Sequence, residues 1–498
     1  MLVISLAAAA ACTSSTPDSR FKQKLVILGF DGMDPRLVDQ WMTEGKLPNM
    51  ARLAQQGGSY RLQTTVSPES PTSWSSFAIG GNPGKHSIYD FLIHDVKTYM
   101  PDIGMVRLEM PSFLFDYIPT SRPKITSLRG GTSFWVTAGQ AGVRSSILTV
   151  PVTFPPEAVP NGQMLSGLPL PDVRGTIGTF YYFATDLSRY EEGSTEMGGI
   201  LKRLVFEGNT ARTELIGPVN PIVKARSDAI RKQGPALSER DAARLADLDA
   251  RADVRVPLTI TWNRQAKRAT IDVQGSKIEL AEGEWSKWVP LEFRVNLLVR
   301  IYGMAQLFLI KAGDDLQLYV SPVNWRPDAP LVPISSPASY AGNLQKRFGT
   351  YRTLGWAEAT WPLNEDRIDE KAFMDDLYRA FDDRASIILN EVNSGKSDLV
   401  IGVLESTDRV QHMFWRFLDP THPMYDAGGA AKYGDAIERV YRRCDQLVGE
   451  VLDRIGPDTL VMVLSDHGFH SFRQAVNLNT FLVQEGFLAR EGGQTAEQ

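Results

Sequence analysis

The sequence predicts an α/β protein: a mostly parallel central sheet flanked by helices, interrupted by an inserted antiparallel β-rich lobe. Three observations predict it. Short apolar runs of β-branched and aliphatic residues, bounded by Gly, Ser and Asp, occur near both ends of the chain, in "KQKLVILGFDGMD" (22–34), "SDLVIGVLES" (397–406) and "DTLVMVLSDHG" (458–468). Continuous rather than alternating apolar runs fit strands buried on both faces. Helical patterns alternate with these runs, as in a layered parallel sheet. Between roughly 250 and 325 the pattern switches to period two, broken by Gly, Asp and Asn turns, as in antiparallel sheets.

The chain has 498 residues, too many for one ordinary core, so two or three lobes are expected. Residues 1–22 read as a leader and tether. "MLVISLAAAAAC" is too short to span a bilayer but suits a secretory apolar region ending in small residues. Small residues directly before a cysteine resemble a bacterial lipoprotein processing site, with Cys12 lipidated and "TSSTPDSR" as the tether. On this reading the protein is exported and faces the periplasm or the cell surface. It meets the membrane only through its lipid anchor.

Residues 23–195 and 366–498 are expected to form one discontinuous α/β core. Its first strand runs from Leu25 to Leu28, with Asp31 just beyond its carboxyl end. "DPRLVDQWMTEGKLPNMARLAQQG" follows as helix, interrupted near Pro48. Residues 196–365 are expected to form the inserted β-rich lobe, carried by "RVPLTITWN", "RATIDVQG", "KIELAEGEW", "EFRVNLLVRIYGMAQLFLIKAG" and "DLQLYVSPVNW". "RIDEKAFMDDLYRAFDDRASIILNEVNSG" then returns helically to the core. In "GDAIERVYRRCDQLVGEVLDRIG" apolar residues recur at three- and four-residue steps, which places Cys444 on the buried face of an amphipathic helix. With only Cys12 and Cys444 in the chain, no disulfide framework is expected. A formal net charge of −5 with both signs interspersed argues against a nucleic-acid-binding surface.

In parallel sheets, ligand sites lie beyond the carboxyl ends of the strands. Each of the three apolar runs delivers acids there. Asp31 follows the first. Asp408 and His412, in "ESTDRVQHMFW", follow the second at a spacing of four, on one face of a helix that begins there. Asp466 and His467 follow the third. Carboxylates mixed with imidazoles suit Zn²⁺ or Mn²⁺ better than Ca²⁺ or Mg²⁺, which favour oxygen-only shells. Singly, D-x-x-x-H reads as a solvated helix pair and "SDHG" as a turn. Three such elements, each after a buried-type strand, point to one site.

The order "FDGMD", a Ser/Thr segment ending "IGGNPGKH", a late D-x-x-x-H and then "SDHG" resembles the alkaline phosphatase superfamily, and within it the type I phosphodiesterase/nucleotide pyrophosphatase branch. The resemblance covers roughly 24–185 and 366–485. It implies an alkaline-phosphatase-like fold and a hydrolase that cleaves phosphodiester or pyrophosphate bonds through a covalent phospho-serine intermediate. Two divalent metals are implied, with Zn²⁺ the first choice and Mn²⁺ the alternative. One is held by Asp31, Ser70, Asp466 and His467, and the other by Asp408, His412 and one further His. The family nucleophile lies ten residues before the first Gly of a G-x-x-P-x-x-H element. Here that Gly is Gly80, which selects Ser70 from "VSPESPTSWSSFAIG"; Thr72 and Ser73 are the alternatives in register. Ser75 and Ser76 are expected to pack beside Trp74 and Phe77, and His86 to be a structural turn residue.

The chain departs from the family pattern twice. The last metal histidine of the family lies well downstream of "SDHG", whereas no His follows His470 here. Either His470 substitutes or the core is incomplete at its C-terminus, and the second is the expectation. Where phosphodiesterases place an Asn to bind a phosphoryl oxygen, "SIYDFLIHD" offers Asp90 and His94. The expected partner is a small phosphorylated substrate: a nucleotide, another phosphodiester or a lipid headgroup, not a nucleic-acid duplex. The alternatives are a phosphomonoesterase or phosphotransferase of the same superfamily, or a non-catalytic ligand-binding relative without a complete second metal site. Substrate identity, monoester against diester preference, the role of the lobe and the oligomeric state stay open. A sulfatase reading is weak because "SPTSW" lacks the Arg of the sulfatase motif. A phosphoglycerate mutase reading conflicts with export.

Overall fold

A computed structural model describes residues 23–96, 100–109, 113–114, 118–121, 124–231 and 237–489. The leader and Cys12 lie outside them. The core sheet has six strands: β1 (Lys24–Phe30), β2 (Ser145–Leu148), β3 (Gln163–Leu165), β4 (Ser335–Ser336), β5 (Leu399–Leu404) and β6 (Thr459–Leu464). Their spatial order is β4-β3-β2-β5-β1-β6. All neighbours are parallel except β4, which closes one edge antiparallel to β3. The mostly parallel sheet expected from the apolar runs is therefore present. β2 and β3 are too short, and too rich in Ser and Gln, to have announced themselves in the sequence.

Register decides where the site forms. Phe30 pairs with Leu404, and Gly29 with Leu464. The residues that follow these three strands therefore leave the sheet side by side at its carboxyl edge.

Helices cover most of the sheet, but β6, whose apolar run suggests a strand buried on both faces, is an edge strand with Leu460 and Met462 exposed. Helix α1 (Pro35–Thr43) begins after Asp34, whose carboxylate accepts from the Arg36 and Leu37 amides, a regular N-cap with Pro in the first turn. Helix α2 (Ser70–Ile79) carries the Ser/Thr-rich segment and ends at Gly80 in a left-handed C-cap. Helix α3 (Glu370–Ser394) is capped by Asp369 and stopped by Gly395. It lies so close to the sheet that a Cβ on Gly402 would fall 2.4 Å from Ile388. Helix α4 (Ser406–Leu418) follows β5 after Glu405, and α5 (Ala436–Leu452) buries Val440, Tyr441, Cys444, Leu447 and Val451 on one face. Cys444 is thus a buried apolar residue, as its helical spacing predicts. Among the described residues no helix is long and apolar enough to cross a membrane.

Between β3 and β4 the chain forms three further sheets. One has six strands and includes Tyr181–Ala184, Leu307–Ala312 and Leu316–Val320. One is a five-stranded meander over 206–281. One is three-stranded over 289–325. Two strands fall on the far side of the expected boundaries. Tyr181–Ala184, placed in the core by sequence, is central in the six-stranded sheet, between 200–203 and 316–320. Ser335–Ser336, placed in the lobe, is β4 of the core. "YYFA" is a fully buried apolar run, indistinguishable by pattern from a core strand. Four helices, Pro221–Arg231, Glu239–Ala250, Ser339–Phe348 and Thr360–Asn364, also fall within the expected β-rich segment.

Candidate active site

Asp31, Ser70, Asp408, His412, Asp466 and His467 come together at the carboxyl edge of β5, β1 and β6. Ser70 Oγ lies 3.0 Å from Asp31 Oδ1 and 3.2 Å from His467 Nε2. His467 Nε2 is 3.6 Å from Asp31 Oδ1, 3.5 Å from Asp466 Oδ2 and 4.0 Å from Asp408 Oδ1. His412 Nε2 lies 3.3 Å from Asp408 Oδ1, the i,i+4 contact expected from their spacing on α4.

Backbone features make this convergence possible. Gly32 has φ +65°, and a Cβ there would lie 3.0 Å from both Cβ and Oδ1 of Asp408, so only glycine lets the β1 turn approach α4 so closely. Thr407 Oγ1 donates to the Asp31 carbonyl, and Gln411 Nε2 donates to the Gly32 carbonyl at 2.7 Å. On the other side Met33 N donates to Ser465 Oγ at 2.8 Å, and Phe469 N donates to Asp34 Oδ2 at 3.0 Å. These bonds tie the three strand-end loops to one another.

The three buried carboxylates share one arrangement. Each has one oxygen held by a protein donor and the other turned towards His467. Trp74 Nε1 donates to Asp31 Oδ2 at 2.7 Å, leaving Oδ1 for Ser70 and His467. The Gly32 amide donates to Asp466 Oδ1 at 3.1 Å, and Asp466 Oδ2 is buried without a hydrogen-bond partner. Arg409 Nη1 donates to Asp408 Oδ2 at 2.9 Å, leaving Oδ1 for the two histidines. The imidazole is oriented too: His467 Nδ1 lies 2.7 Å from the Gly468 carbonyl, so Nδ1–H donates there and Nε2 faces the cluster. A buried, unpartnered carboxylate oxygen is costly. Carboxylate oxygens brought this close to an imidazole nitrogen fit a dication of the Zn²⁺ or Mn²⁺ kind. Atoms of Asp31, Asp408 and His467 lie within 4.8 Å of one another, a grouping that straddles the two ligand sets implied by the family resemblance.

The electrostatics reflect the crowding. Burial, and then the neighbouring Asp408, raise the Asp31 carboxyl above its usual range. Burial and Asp31 push Asp466 well above it. Asp408 behaves oppositely: burial alone would raise it, but His412, Arg409 and His467 together bring it down to about 2. Burial would lower His467, yet Asp466, Asp31 and Asp408 outweigh that and raise it to about 9. Without a bound cation, protons stand in for its charge.

The other hydroxyls of α2 face elsewhere. Ser73 Oγ is shared with Thr64 and Thr65, at 3.1 and 2.8 Å, and Thr64 also donates to the Asp466 carbonyl. Thr72 Oγ1 and Ser75 Oγ are buried without partners. Ser70 alone among them touches the carboxylate–histidine cluster. Pro71, which immediately follows it, sits in the first turn of α2, where proline suits the helix. His86 is structural, as its turn position predicts: its Nδ1 accepts from Ile88 N at 3.1 Å, so its Nε2–H donates to Ser76 Oγ at 2.9 Å. His470 is exposed, with Nδ1 3.2 Å from the Ser471 carbonyl, and lines a surface hollow with Asp34, Arg36 and Trp415 that includes none of the six cluster residues. His94 is exposed on a short hairpin strand. Asp90 is exposed, and its charge helps burial to raise Glu69, the half-buried acid preceding Ser70.

Trp74, Arg409, Gln411 and Glu69 were not anticipated as parts of the site. Trp74 reads from sequence as a packing residue, and its ring does pack, so tightly that a Cβ on Gly29 would lie 2.5 Å from it. Only the fold reveals that its N–H reaches Asp31.

Comparison with curated proteins and with solved structures gave no match. A sequence model described as type I phosphodiesterase / nucleotide pyrophosphatase matches residues 25–196 and 317–497, more than half of the chain, and leaves out most of the β-rich lobe. The chain therefore belongs to the type I phosphodiesterase/nucleotide pyrophosphatase family of the alkaline phosphatase superfamily, metal-dependent hydrolases that act on small phosphorylated substrates such as nucleotides.

Proposed function

We propose that the protein hydrolyses phosphodiester or pyrophosphate bonds with Ser70 as nucleophile. The observation that carries this reading is the position of Ser70 Oγ, 3.0 Å from Asp31 Oδ1 and 3.2 Å from His467 Nε2, on the first residue of α2. Asp31 Oδ1, Asp466 Oδ2 and His467 Nε2 would hold one dication beside Ser70, and Asp408 Oδ1 with His412 Nε2 would contribute to a second. Bound there, such ions would make the serine alkoxide accessible at neutral pH and offset charge on the phosphoryl oxygens.

The chain's own residues set the course of the reaction. Asp31 accepts the Ser70 hydroxyl hydrogen bond and aims Oγ out of the first turn of α2. The positive end of that helix faces the charge that develops on the phosphoryl group. Attack of Oγ on phosphorus forms the Ser70–phosphate bond as the bond to the leaving alcohol or phosphate breaks. Water then attacks the phospho-serine, returning Ser70 and releasing the second product.

The second reading is a ligand-binding relative without turnover. It is favoured by one observation: His470 lines a surface hollow that includes neither Asp408 nor His412, and among the described residues the grouping able to hold a metal includes neither His412 nor His470. Turnover of a chromogenic phosphodiester decides between the two. Hydrolysis abolished by a chelator, restored by Zn²⁺ or Mn²⁺ and lost in Ser70→Ala supports the enzyme. Metal binding without hydrolysis of any phosphoester supports the relative.

A further inference from the structure

The three carboxylates of the site are held by unlike donors. Asp31 and Asp466 are tied by a neutral indole and a backbone amide, but Asp408 is tied by a guanidinium from the next residue in sequence. Neighbours on a helix point about 100° apart, so Arg409 must fold back to reach Asp408. Glu405, just after β5, attracts it from within the core, and two further side chains reach it from outside the core's own strands. The Trp356 ring lies against the guanidinium, 3.6 Å from its carbon to the ring centroid. Trp356 is itself stacked on Trp361 at 5.0 Å and donates to Thr360 Oγ1 at 2.7 Å. Glu358 Oε2 lies 4.0 Å from Arg409 Nε, a charge contact without a hydrogen bond, while its Oε1 accepts from Ser406 Oγ, in the first turn of α4, at 2.7 Å. Arg409 and Glu358 are 5% and 2% exposed, so neither charge can swing away without being buried unpaired. Trp356 and Glu358 also line a cavity shared with Tyr319 and Asn324 from the β-rich sheets.

We propose that Arg409, clamped by Trp356 and Glu358, is a positioning residue for the metal site. It occupies Oδ2 of Asp408 and so confines that ligand to a single oxygen, Oδ1, facing His412 and His467. The segment returning from the β-rich sheets into the core thereby forms part of the site's construction, although it supplies no ligand. Buried behind Asp408, Arg409 acts on that carboxylate and not on substrate. The inference rests on the metal-site reading given above.

The test uses the full chain, stripped of metal and titrated with Co²⁺ and Zn²⁺, comparing wild type with Arg409→Gln, Arg409→Lys and Trp356→Leu. Three quantities are read: affinity for each metal equivalent, the Co²⁺ d–d absorption spectrum and the metal-free unfolding temperature. Arg409→Gln is expected to weaken binding at the equivalent that uses Asp408 by about 10–100-fold, the usual effect of losing an outer partner of a ligand. Its Co²⁺ spectrum is expected to change as Asp408 becomes free to bind through both oxygens. Arg409→Lys is expected to recover most of the affinity, and Trp356→Leu to lose less than Arg409→Gln, in the same direction. If unfolding temperatures fall while affinities and spectra stay at wild type, Arg409 is only structural and the inference is overturned. If Arg409→Gln does not fold, Arg409→Lys and Trp356→Leu decide by the same criteria. A wild-type chain that binds neither metal overturns this inference and the metal-site reading together, and does so before any substitution is made.

Discussion

Replacing Asp31 with Asn should make the metal-free protein more stable while destroying its affinity for metal. The side chain is buried, and its outer oxygen accepts from Trp74 Nε1, a bond an Asn carbonyl can keep. Asn cannot keep the charge. Ligand atoms of Asp31, Asp408 and His467 lie within 4.8 Å of one another. At that separation and an effective dielectric near 20, the Asp31–Asp408 repulsion is about 3.5 kcal/mol. Attraction to protonated His467 offsets part of it, but the balance still raises the Asp31 carboxyl, so its ionised form opposes folding. The expected gain from Asp31→Asn is about 1–2 kcal/mol at neutral pH, a rise of only about 1–2 °C in the unfolding midpoint of a chain this long. The sign follows from linkage. An acid raised in the fold costs stability above its folded pKa and costs nothing once both states are protonated. The gain should therefore narrow as the pH falls towards the ordinary carboxylate value of 3.8. Thermal unfolding in chelator across this range, repeated with Zn²⁺, measures all three effects. A variant less stable than wild type without metal, or one still shifted by Zn²⁺ as far as wild type, would show that the Asp31 charge neither opposes folding nor binds metal.

Metal affinity should rise about tenfold per pH unit up to about 9, because a ligand must displace the His467 proton held there by Asp466, Asp31 and Asp408. Calorimetry in buffers of different ionisation enthalpy should register the released proton, and a flat profile would contradict this. Trp74→Phe keeps most of the ring but leaves Asp31 Oδ2 without its donor, so kcat/KM should fall about tenfold with the fold intact by circular dichroism. Thr72→Val should leave turnover at wild type and stability within about 1 kcal/mol or higher, since the hydroxyl it removes is buried and unpaired; a large loss of activity would move the nucleophile assignment to Thr72.

The legible part of this protein was its strand ends. β1, β5 and β6 are continuous apolar runs followed at once by acids, and parallel pairing brings three such ends together whatever lies between them. The Asp408–His412 contact was legible because a helix fixes i,i+4 neighbours, and α4 starts two residues before the pair. β2 and β3 were not legible, being only four and three residues long and rich in Ser and Gln. Nor were the outer partners. Trp74 and Arg409 carry no spacing signal, because what matters is where a long side chain ends. Trp356 and Glu358 sit in a stretch that reads only as the end of the lobe, and their nearness to Asp408 is a product of tertiary packing.

On the proposed mechanism Ser70 carries the phosphoryl group during turnover. Acid quenching of the metal-loaded protein during hydrolysis of a phosphodiester, followed by mass spectrometry of the peptide spanning 61–85, tests it directly. One phosphoryl group is expected on Ser70, absent when chelator is present and absent from Ser70→Ala, which should also lose several orders of magnitude in kcat. A phosphoryl group on Thr72 or Ser73 would contradict it, as would Ser70→Ala turning over at the wild-type rate with no residue phosphorylated.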